Sequence, residues 1–260
     1  MSATLYYFTG TGNSLFITKT IAAQLEDTTL IPINQVKLSK EIFVDTDIVG
    51  VIYPTYFLEA PDVVKEFAKR LKVSPKSHLF LYSNYGAMSG NSLYNLYEVF
   101  KENGAVVSAA YEVALPDNSI IFPTKPEDQE KMLVEGKMKI EKDAKLIQKR
   151  CATKMPQKRV LDKALSSTMK FVNHIYLGMD KIEIVDSKCT NCNICSKVCS
   201  SNNIKAAKET PLVGKNCAMC FSCVHYCPQQ AIRFKRMKPT ENFQYSHPDI
   251  SLKDIMSTRK

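Results

Sequence analysis

The chain contains no tryptophan, only nine glycines and only four histidines among its 260 residues. It also lacks any run of 18 apolar residues, which excludes a transmembrane helix. Its first residues lead directly into an apolar segment, without the basic region and cleavage site of a secretory signal. Because apolar residues make up 45% and charged residues 23% of the chain, we expect an ordinary soluble globular protein in the cytoplasm.

Positive charge is in excess, since 35 Lys and Arg residues face 26 Asp and Glu residues and leave a net charge of +9. A nucleic-acid-binding protein concentrates such charge on one face, whereas the lysines here are scattered through amphipathic segments. We therefore expect no nucleic-acid partner. Anionic prosthetic groups would offset much of the excess.

Eight of the nine cysteines form two copies of the pattern C-x2-C-x2-C-x3-C, at residues 189–199 and 217–227. Each cysteine of the second copy follows its counterpart by 28 residues. Three cysteines two residues apart wrap a tight turn and converge on one cluster, whereas the fourth is carried to the other cluster. The spacing is that of bacterial-type ferredoxins with two [4Fe–4S] clusters.

The spacing predicts that each cluster takes three thiolates from one copy and the fourth from the other. Structural zinc sites pair two well-separated knuckles, and disulfides suit secreted chains, so both alternatives fit the pattern less well. The first ligand set is Cys189, Cys192, Cys195 and Cys227, and the second is Cys217, Cys220, Cys223 and Cys199.

The two copies differ at the residue after the fourth cysteine, which is Ser200 in the first copy and Pro228 in the second. This residue is not a ligand, but it sets the polarity beside a cluster. We therefore expect both clusters to form, with unequal potentials.

A loop rich in hydroxyls and glycine separates a predicted strand at residues 5–8 from a predicted helix. Such a loop presents backbone N–H groups and the positive end of the helix dipole to an anion. The dinucleotide fingerprint fails because Leu15 replaces its third glycine, and no Gly-Lys-Ser/Thr follows as in a P-loop. The loop resembles the phosphate loop of flavodoxins and comprises Thr9, Gly10, Thr11, Gly12, Asn13 and Ser14.

Strand and helix patterns alternate up to residue 115, which predicts a doubly wound α/β domain with a parallel sheet. The flavodoxin resemblance implies strand order 2-1-3-4-5 and an FMN site where three loops meet, at residues 9–14, 54–58 and 83–90. The first of these loops would bind the phosphate, and the other two would flank the flavin ring. Tyr56, Phe57 and Tyr85 are candidates to stack on it. The remaining candidates in these two loops are Pro54, Thr55, Asn84, Gly86 and Gly90.

Residues 117–180 match neither motif and contain two helical patterns, one opened by a capping box from Thr124 to Glu127 and one over residues 159–177. The simpler interpretation is a helical extension that completes the core. The more specific alternative is a lid that covers the edge of the flavin. We expect a small α+β ferredoxin domain at 181–236 and a loosely held tail at 237–260. The flavodoxin-like domain would then span residues 1–116.

Together the motifs resemble the flavodoxin–ferredoxin fusion proteins of anaerobic bacteria and archaea. The resemblance covers residues 1–115 and 185–235, and hardly touches 116–180. It implies electron transfer between two low-potential [4Fe–4S] clusters and FMN, in a carrier that serves other redox proteins. The alternative is a flavin-dependent reductase of a small molecule such as a quinone or a nitro compound. No convincing proton-donor constellation surrounds the predicted flavin loops, although Tyr56 or Tyr85 could serve, so no catalytic residue is assigned.

Overall fold

The computed structural model describes residues 1–36, 38–120, 122–172, 178, 181–234 and 243–259. The first part of the chain forms β1 (Ser2–Tyr7), α1 (Asn13–Ala22), β2 (Asp27–Pro32), β3 (Ile42–Val44), β4 (Ile48–Pro54), α2 (Asp62–Arg70), β5 (Leu71–Val73), β6 (His78–Tyr85), α3 (Ser92–Glu102) and β7 (Val107–Ala114). The second part forms α4 (Pro126–Gln148), α5 (Val160–Val172), β8 (Ile182–Ile184), α6 (Ile194–Lys197), β9 (Ile204–Lys205), β10 (Leu212–Val213), α7 (Ser222–His225), β11 (Ile232–Phe234) and α8 (Leu252–Ser257).

Five parallel strands form the central sheet, in the order β2-β1-β4-β6-β7. In β4 and β6 every residue except the last is buried, as expected for parallel strands covered by helices on both faces. Apolar residues of α1 and α4 cover one face, and those of α2 and α3 cover the other. This arrangement fits a flavodoxin-like α/β fold. The short parallel pair β3–β5 was not predicted from the sequence.

Helix α4 belongs to this core, because Ile140, Ala144 and Ile147 are fully buried against the sheet. Its predicted capping box does not form. The helix begins at Pro126, with Lys125 as an N-cap that makes no side-chain hydrogen bond. Proline fixes its own φ and has no N–H that needs a cap. The Thr124 hydroxyl instead accepts a hydrogen bond from the backbone N–H of Asp117, at 2.7 Å.

Helix α5 has a different character, because most of its apolar side chains are exposed. Leu161 is 85% exposed and Phe171 is 59% exposed, whereas Ser166 is fully buried. The helix is held by ion pairing of Lys170 with Glu59 on the loop before α2. The last predicted helical positions, Ile175 and Tyr176, lie outside the described residues.

Residues 181–234 form a small α+β unit, called the cysteine module below. Its antiparallel ribbons pair β8 with β11 and β9 with β10. The two halves repeat at an interval of 28 residues not only in sequence but also in backbone conformation. Three pairs of left-handed residues correspond: Asn191 with Met219 (φ 53° and 51°), Asn193 with Phe221 (57° and 55°), and Asn202 with Gln230 (53° and 46°).

The described part of the tail, residues 243–259, is packed against the rest of the molecule and is not loosely held. Phe243, Tyr245, Ile250 and Ile255 are buried. Helix α8 has a complete capping box at its N-terminus and forms an ion pair, Lys19 Nζ to Asp254 Oδ1 at 2.8 Å, with α1. Polar composition had suggested a mobile strap, but four buried apolar side chains hold it in place. The structure does not describe residues 237–242 of the predicted tail.

No helix in the described ranges is both long enough and apolar enough to cross a membrane.

We predict that Ile140→Ala lowers the free energy of unfolding by about 2–5 kcal/mol, because it opens a cavity between α4 and the sheet. Val134→Ala, a change on the exposed side of the same helix, should stay within about 0.5 kcal/mol of the parent. Thermal unfolding monitored by circular dichroism compares the two variants. Equal melting temperatures would mean that α4 is a linker and not part of the core.

Candidate functional site

The 9–14 loop leaves the carboxyl end of β1 and turns directly into α1. Gly12 occupies the left-handed region at φ 110°, and its N–H donates to Thr9 Oγ1 at 3.1 Å. No side chain caps the first turn of α1. The N–H groups of that turn have no partner within the helix, so they form a surface suited to an anion.

The carbonyl groups of this loop point the other way, toward the C-terminal third of the chain. The carbonyls of residues 9, 10 and 11 accept hydrogen bonds from Arg259 Nη2, Ser222 Oγ and the His247 N–H, at 2.7, 2.7 and 2.9 Å respectively. The loop is therefore clamped through its carbonyls by the cysteine module and by residues 243–259. Its N–H side takes no part in this clamp.

Two asparagines brace the loop from the other elements. Asn84, at the end of β6, donates to Ser14 Oγ at 2.7 Å and to the Tyr53 carbonyl at 3.2 Å. Asn13 donates to the Pro116 carbonyl at 3.0 Å and accepts from Tyr245 Oη at 2.7 Å. These bonds join the 9–14 loop to the ends of β4, β6 and β7.

A cavity of about 350 Å³, called the central cavity below, opens beside this junction at the carboxyl edge of the sheet. Four of the sequence candidates line it: Thr55, Tyr56, Phe57 and Gly86. The loops after β4 and β6 also contribute Leu58, Ala87 and Met88. The other walls come from the loop after β7, from α5 and from the cysteine module, through Asp117, Asn118, Ser119, Phe122, Leu165, Met169, Met219 and Phe221.

The remaining candidates of the second and third loops lie outside the cavity lining. Asn84 braces the 9–14 loop, and Pro54 and Tyr85 end their strands. Gly90 takes a left-handed conformation at φ 56°, and a Cβ there would collide with Leu58. Gly90 thus allows the backbone to pack closely against Leu58, which lines the cavity, although Gly90 itself does not.

Two buried polar atoms of the cavity wall, Thr55 Oγ1 and Tyr56 Oη, have no hydrogen-bond partner among the described residues. Burial raises the pKa of Tyr56 well above its usual value, so its phenol stays neutral and keeps a hydrogen to donate. Unsatisfied buried polar groups are costly, typically by about 1–3 kcal/mol each. A ligand with polar atoms along its edge would satisfy both.

Asp117 is a cavity residue that sequence reasoning missed. Its Oδ1 accepts from the Ser119 N–H at 2.8 Å, and its carboxyl group packs directly against Gly86, where a Cβ would collide with it. Burial raises the pKa of this carboxyl. The available signal was its position just after the carboxyl end of the last strand of the sheet, which is where α/β proteins bind ligands.

The eight cysteines of the module line two separate cavities, and each cavity collects four of them. One cavity, called the first cysteine site below, is lined by Cys189, Cys192, Cys195 and Cys227. The other, called the second cysteine site, is lined by Cys199, Cys217, Cys220 and Cys223. Each set combines three cysteines of one copy with the fourth of the other. No three His, Cys, Asp or Glu side chains of the described residues are arranged to hold a metal ion. Thiolates binding one zinc ion would lie about 2.3 Å from it, whereas here each set lines a cavity.

Corresponding backbone groups donate to sulfur at both sites. The N–H of Asn203 lies 3.1 Å from Cys199 Sγ, and the N–H of Ala231 lies 3.2 Å from Cys227 Sγ. The sites differ in exposure, since Cys192 is exposed whereas its counterpart Cys220 is buried. The first site thus reaches the surface, and the second faces the interior.

The second cysteine site adjoins both the central cavity and the 9–14 loop. Met219 and Phe221, the two neighbours of Cys220, line the cavity. A Cβ at Gly10 would lie only 2.6 Å from the Cys220 carbonyl oxygen and 3.0 Å from Tyr56 Oη. Glycine is thus required where the loop, the cavity wall and the cysteine module meet.

No family model and no curated protein matches the chain. Solved structures that resemble it include a flavodoxin of Streptococcus pneumonia TIGR4, with 18% identity, a TM-score of 0.36, and coverage of 55% of this chain and 99% of that one. The two-electron reduced flavodoxin of Megasphaera elsdenii has 23% identity and a TM-score of 0.33, covering 53% and 98% of the two chains. A flavodoxin from the domain Archaea has 17% identity and a TM-score of 0.32, covering 56% and 99%. Likeness at this level does not establish function, which we infer from the site itself.

His247, which anchors residues 243–259 on the loop, generates a pH-dependent prediction. Burial lowers its pKa from the usual 6.5 to about 4, although Asp249 partly opposes the shift. His247 is therefore neutral when packed and takes up a proton when the segment opens, so packing weakens as pH falls below about 6.5.

We expect the opening free energy of residues 243–259 to fall by about 1–2 kcal/mol between pH 7 and pH 5, and to fall less in His247→Gln. Hydrogen–deuterium exchange, corrected for the intrinsic pH dependence of exchange, measures this difference. The same pH dependence in both proteins would contradict the assignment.

Proposed function

We propose that the chain is an electron-transfer protein that binds FMN in the central cavity and one [4Fe–4S] cluster at each cysteine site, and that it passes electrons to or from other redox proteins. One observation carries the proposal: a cavity lined by four cysteines adjoins a ligand-sized cavity at the carboxyl edge of a parallel sheet. When bound, the clusters supply one-electron chemistry and the flavin supplies one- or two-electron chemistry.

The residues fit FMN in two respects. The uncapped start of α1 and the N–H side of the 9–14 loop suit the phosphate. The central cavity suits a flat ring, because Phe57, Met219 and Phe221 supply apolar walls and the unpartnered Thr55 and Tyr56 oxygens supply polar contacts. Asn84 would hold the phosphate loop in register with the ring site through its bond to Ser14.

The cysteine sites fit clusters in composition and in environment. Each gathers four thiols around a cavity that is also lined by isoleucines and supplies a backbone N–H to one sulfur. Such N–H groups stabilise the negative charge of a thiolate-bound cluster. The two halves of the module also repeat their left-handed residues, as expected where the backbone wraps two similar groups.

The arrangement suggests an order of transfer. Cys192 makes the first site accessible to an external redox protein, whereas the second site lies beside the central cavity. Electrons would then pass between the partner and the flavin through the first site and the second site in turn. Since the module and the sheet pack together, no domain movement is needed for this path.

We predict about eight irons, eight sulfides and one FMN per chain after anaerobic purification. Cys220→Ala should lose about four irons, because it removes one ligand of the second site only, whereas Cys151→Ala should lose none. Assays of iron, sulfide and released flavin on the parent and on the two variants test this prediction. Four irons or fewer in the reconstituted parent, or no flavin, would refute the proposal.

A second candidate function, reduction of a small acceptor such as a quinone, is favoured by Asp117. Quinone reduction consumes two electrons and two protons. A low-potential redox protein would supply the electrons through the cysteine sites, and water would supply the protons. The raised pKa of Asp117 suits a group that relays protons into the cavity, and Met88 and Phe122 at its wall are exposed enough to mark an apolar entrance.

For this second function we predict that Asp117→Asn lowers the turnover of a quinone at neutral pH by about 100-fold, since general-acid catalysis contributes at least that much. Flavin content and the rate of cluster reduction should stay at the parent level. Asp128→Asn, a surface change on α4, serves as the control. Unchanged quinone turnover in Asp117→Asn would leave electron carriage as the only function supported.

A further inference from the structure

Arg259 occupies the junction between the 9–14 loop and the second cysteine site. Its Nη2 donates to the Thr9 carbonyl at 2.7 Å and lies 3.4 Å from Ser222 Oγ. In the amide orientation that satisfies both neighbours, Asn34 accepts from Arg259 Nη1 at 2.6 Å and donates to the Ser200 carbonyl at 3.2 Å. These contacts fix the guanidinium in one place.

No carboxylate of the described residues pairs with Arg259, and its Nε is buried without a partner among them. Its guanidinium instead lies near Cys220. Ser222 Oγ, which is 3.4 Å from Arg259 Nη2, is also 3.4 Å from Cys220 Sγ, so a single hydroxyl group separates the guanidinium from this sulfur. A group that stabilises negative charge on this sulfur also stabilises the extra electron of a cluster bound there.

Ser200 is the hydroxyl that reinforces this effect. It lies 3.1 Å from Cys220 Sγ. Ser222 is 3.4 Å from the same sulfur but donates its single hydrogen to the Gly10 carbonyl. The first cysteine site has no equivalent, because Pro228 stands where Ser200 would be repeated and has no hydrogen to donate.

We propose that Arg259, assisted by Ser200, raises the reduction potential of the cluster at the second cysteine site and so offsets the penalty that burial imposes on reducing it. The inference rests on the proposed function, since it requires clusters at both sites. Burial favours the less charged, oxidised cluster, and a fixed cation that contacts the hydroxyl beside a ligand sulfur opposes this. The site beside the flavin cavity thereby remains reducible.

The test compares the potentials of both clusters in the holoprotein, by anaerobic redox titration followed with electron paramagnetic resonance. Arg259→Gln should lower the equilibrium constant for reduction of one cluster about tenfold, which is about 59 mV for one electron. Ser200→Ala should lower the same midpoint by less. Arg259→Lys, which keeps the charge, should restore most of the difference.

Arg233→Gln is the matched control. It removes one positive charge from the same module, but Arg233 is exposed and paired with Glu183, so both midpoints should stay at their parent values. Equal shifts of both midpoints in Arg259→Gln, or no shift, would overturn the inference. If Arg259→Gln loses iron, Ser200→Ala decides instead: a lower midpoint of one cluster supports the inference, and equal shifts of both midpoints or no shift overturn it. A parent protein without clusters would instead refute the proposed function.

Discussion

The buried carbonyl groups of residues 9–11 constrain the rest of the structure more than any other feature. The loop turns its N–H side toward the start of α1, so its carbonyls have no partner in the sheet or in the helix. Buried carbonyls need donors. Here the donors come from the cysteine module and from residues 243–259, which are distant in sequence. The hydrogen-bonding needs of one loop therefore fix where the cysteine module packs, and with it the distance between the two kinds of site.

The second half of the cysteine module has adapted to this position. In the first half the left-handed residues Asn191 and Asn193 face no cavity of the sheet, and asparagine tolerates that conformation. Their counterparts are Met219 and Phe221, whose bulky side chains make the same φ values costly. Both line the central cavity. The chain has thus accepted local strain where an apolar wall is required, and the two halves differ because only one of them meets the sheet.

Local patterns predicted the features that depend on local geometry. Buried runs such as residues 48–54 and 78–84 read as parallel strands. The two cysteine sets named from the spacing each line one cavity, and their role as cluster ligands stays a prediction. The 9–14 loop was recognisable because a strand, a glycine turn and a helix start lie within fifteen residues.

Features that depend on distant contacts were missed or misjudged. Thr124 looked like a helix cap, but the N–H of Asp117 uses its hydroxyl. Asp117 itself has no recognisable motif, and only the register of β7 with β6 brings it against Gly86. Residues 243–259 looked like a loose tail because their apolar side chains are few. Besides four buried apolar side chains, their anchors include hydrogen bonds to Asn13 and Thr11, more than 200 residues away, which no periodicity reveals.

Arg259 connects these observations to the charge of the whole chain. Arg259 is half-buried with a buried Nε, and partial burial of a guanidinium without a carboxylate partner is costly, most of all in the absence of any anion. At this junction the proposed anion nearest to Arg259 would be a thiolate-bound cluster at Cys220. The net charge of +9 counts every cysteine as neutral. An arginine without a carboxylate partner in such a chain therefore fits our proposal that anionic groups bind here, and its contact with the Thr9 carbonyl places it on the side of the loop that faces the cysteine module.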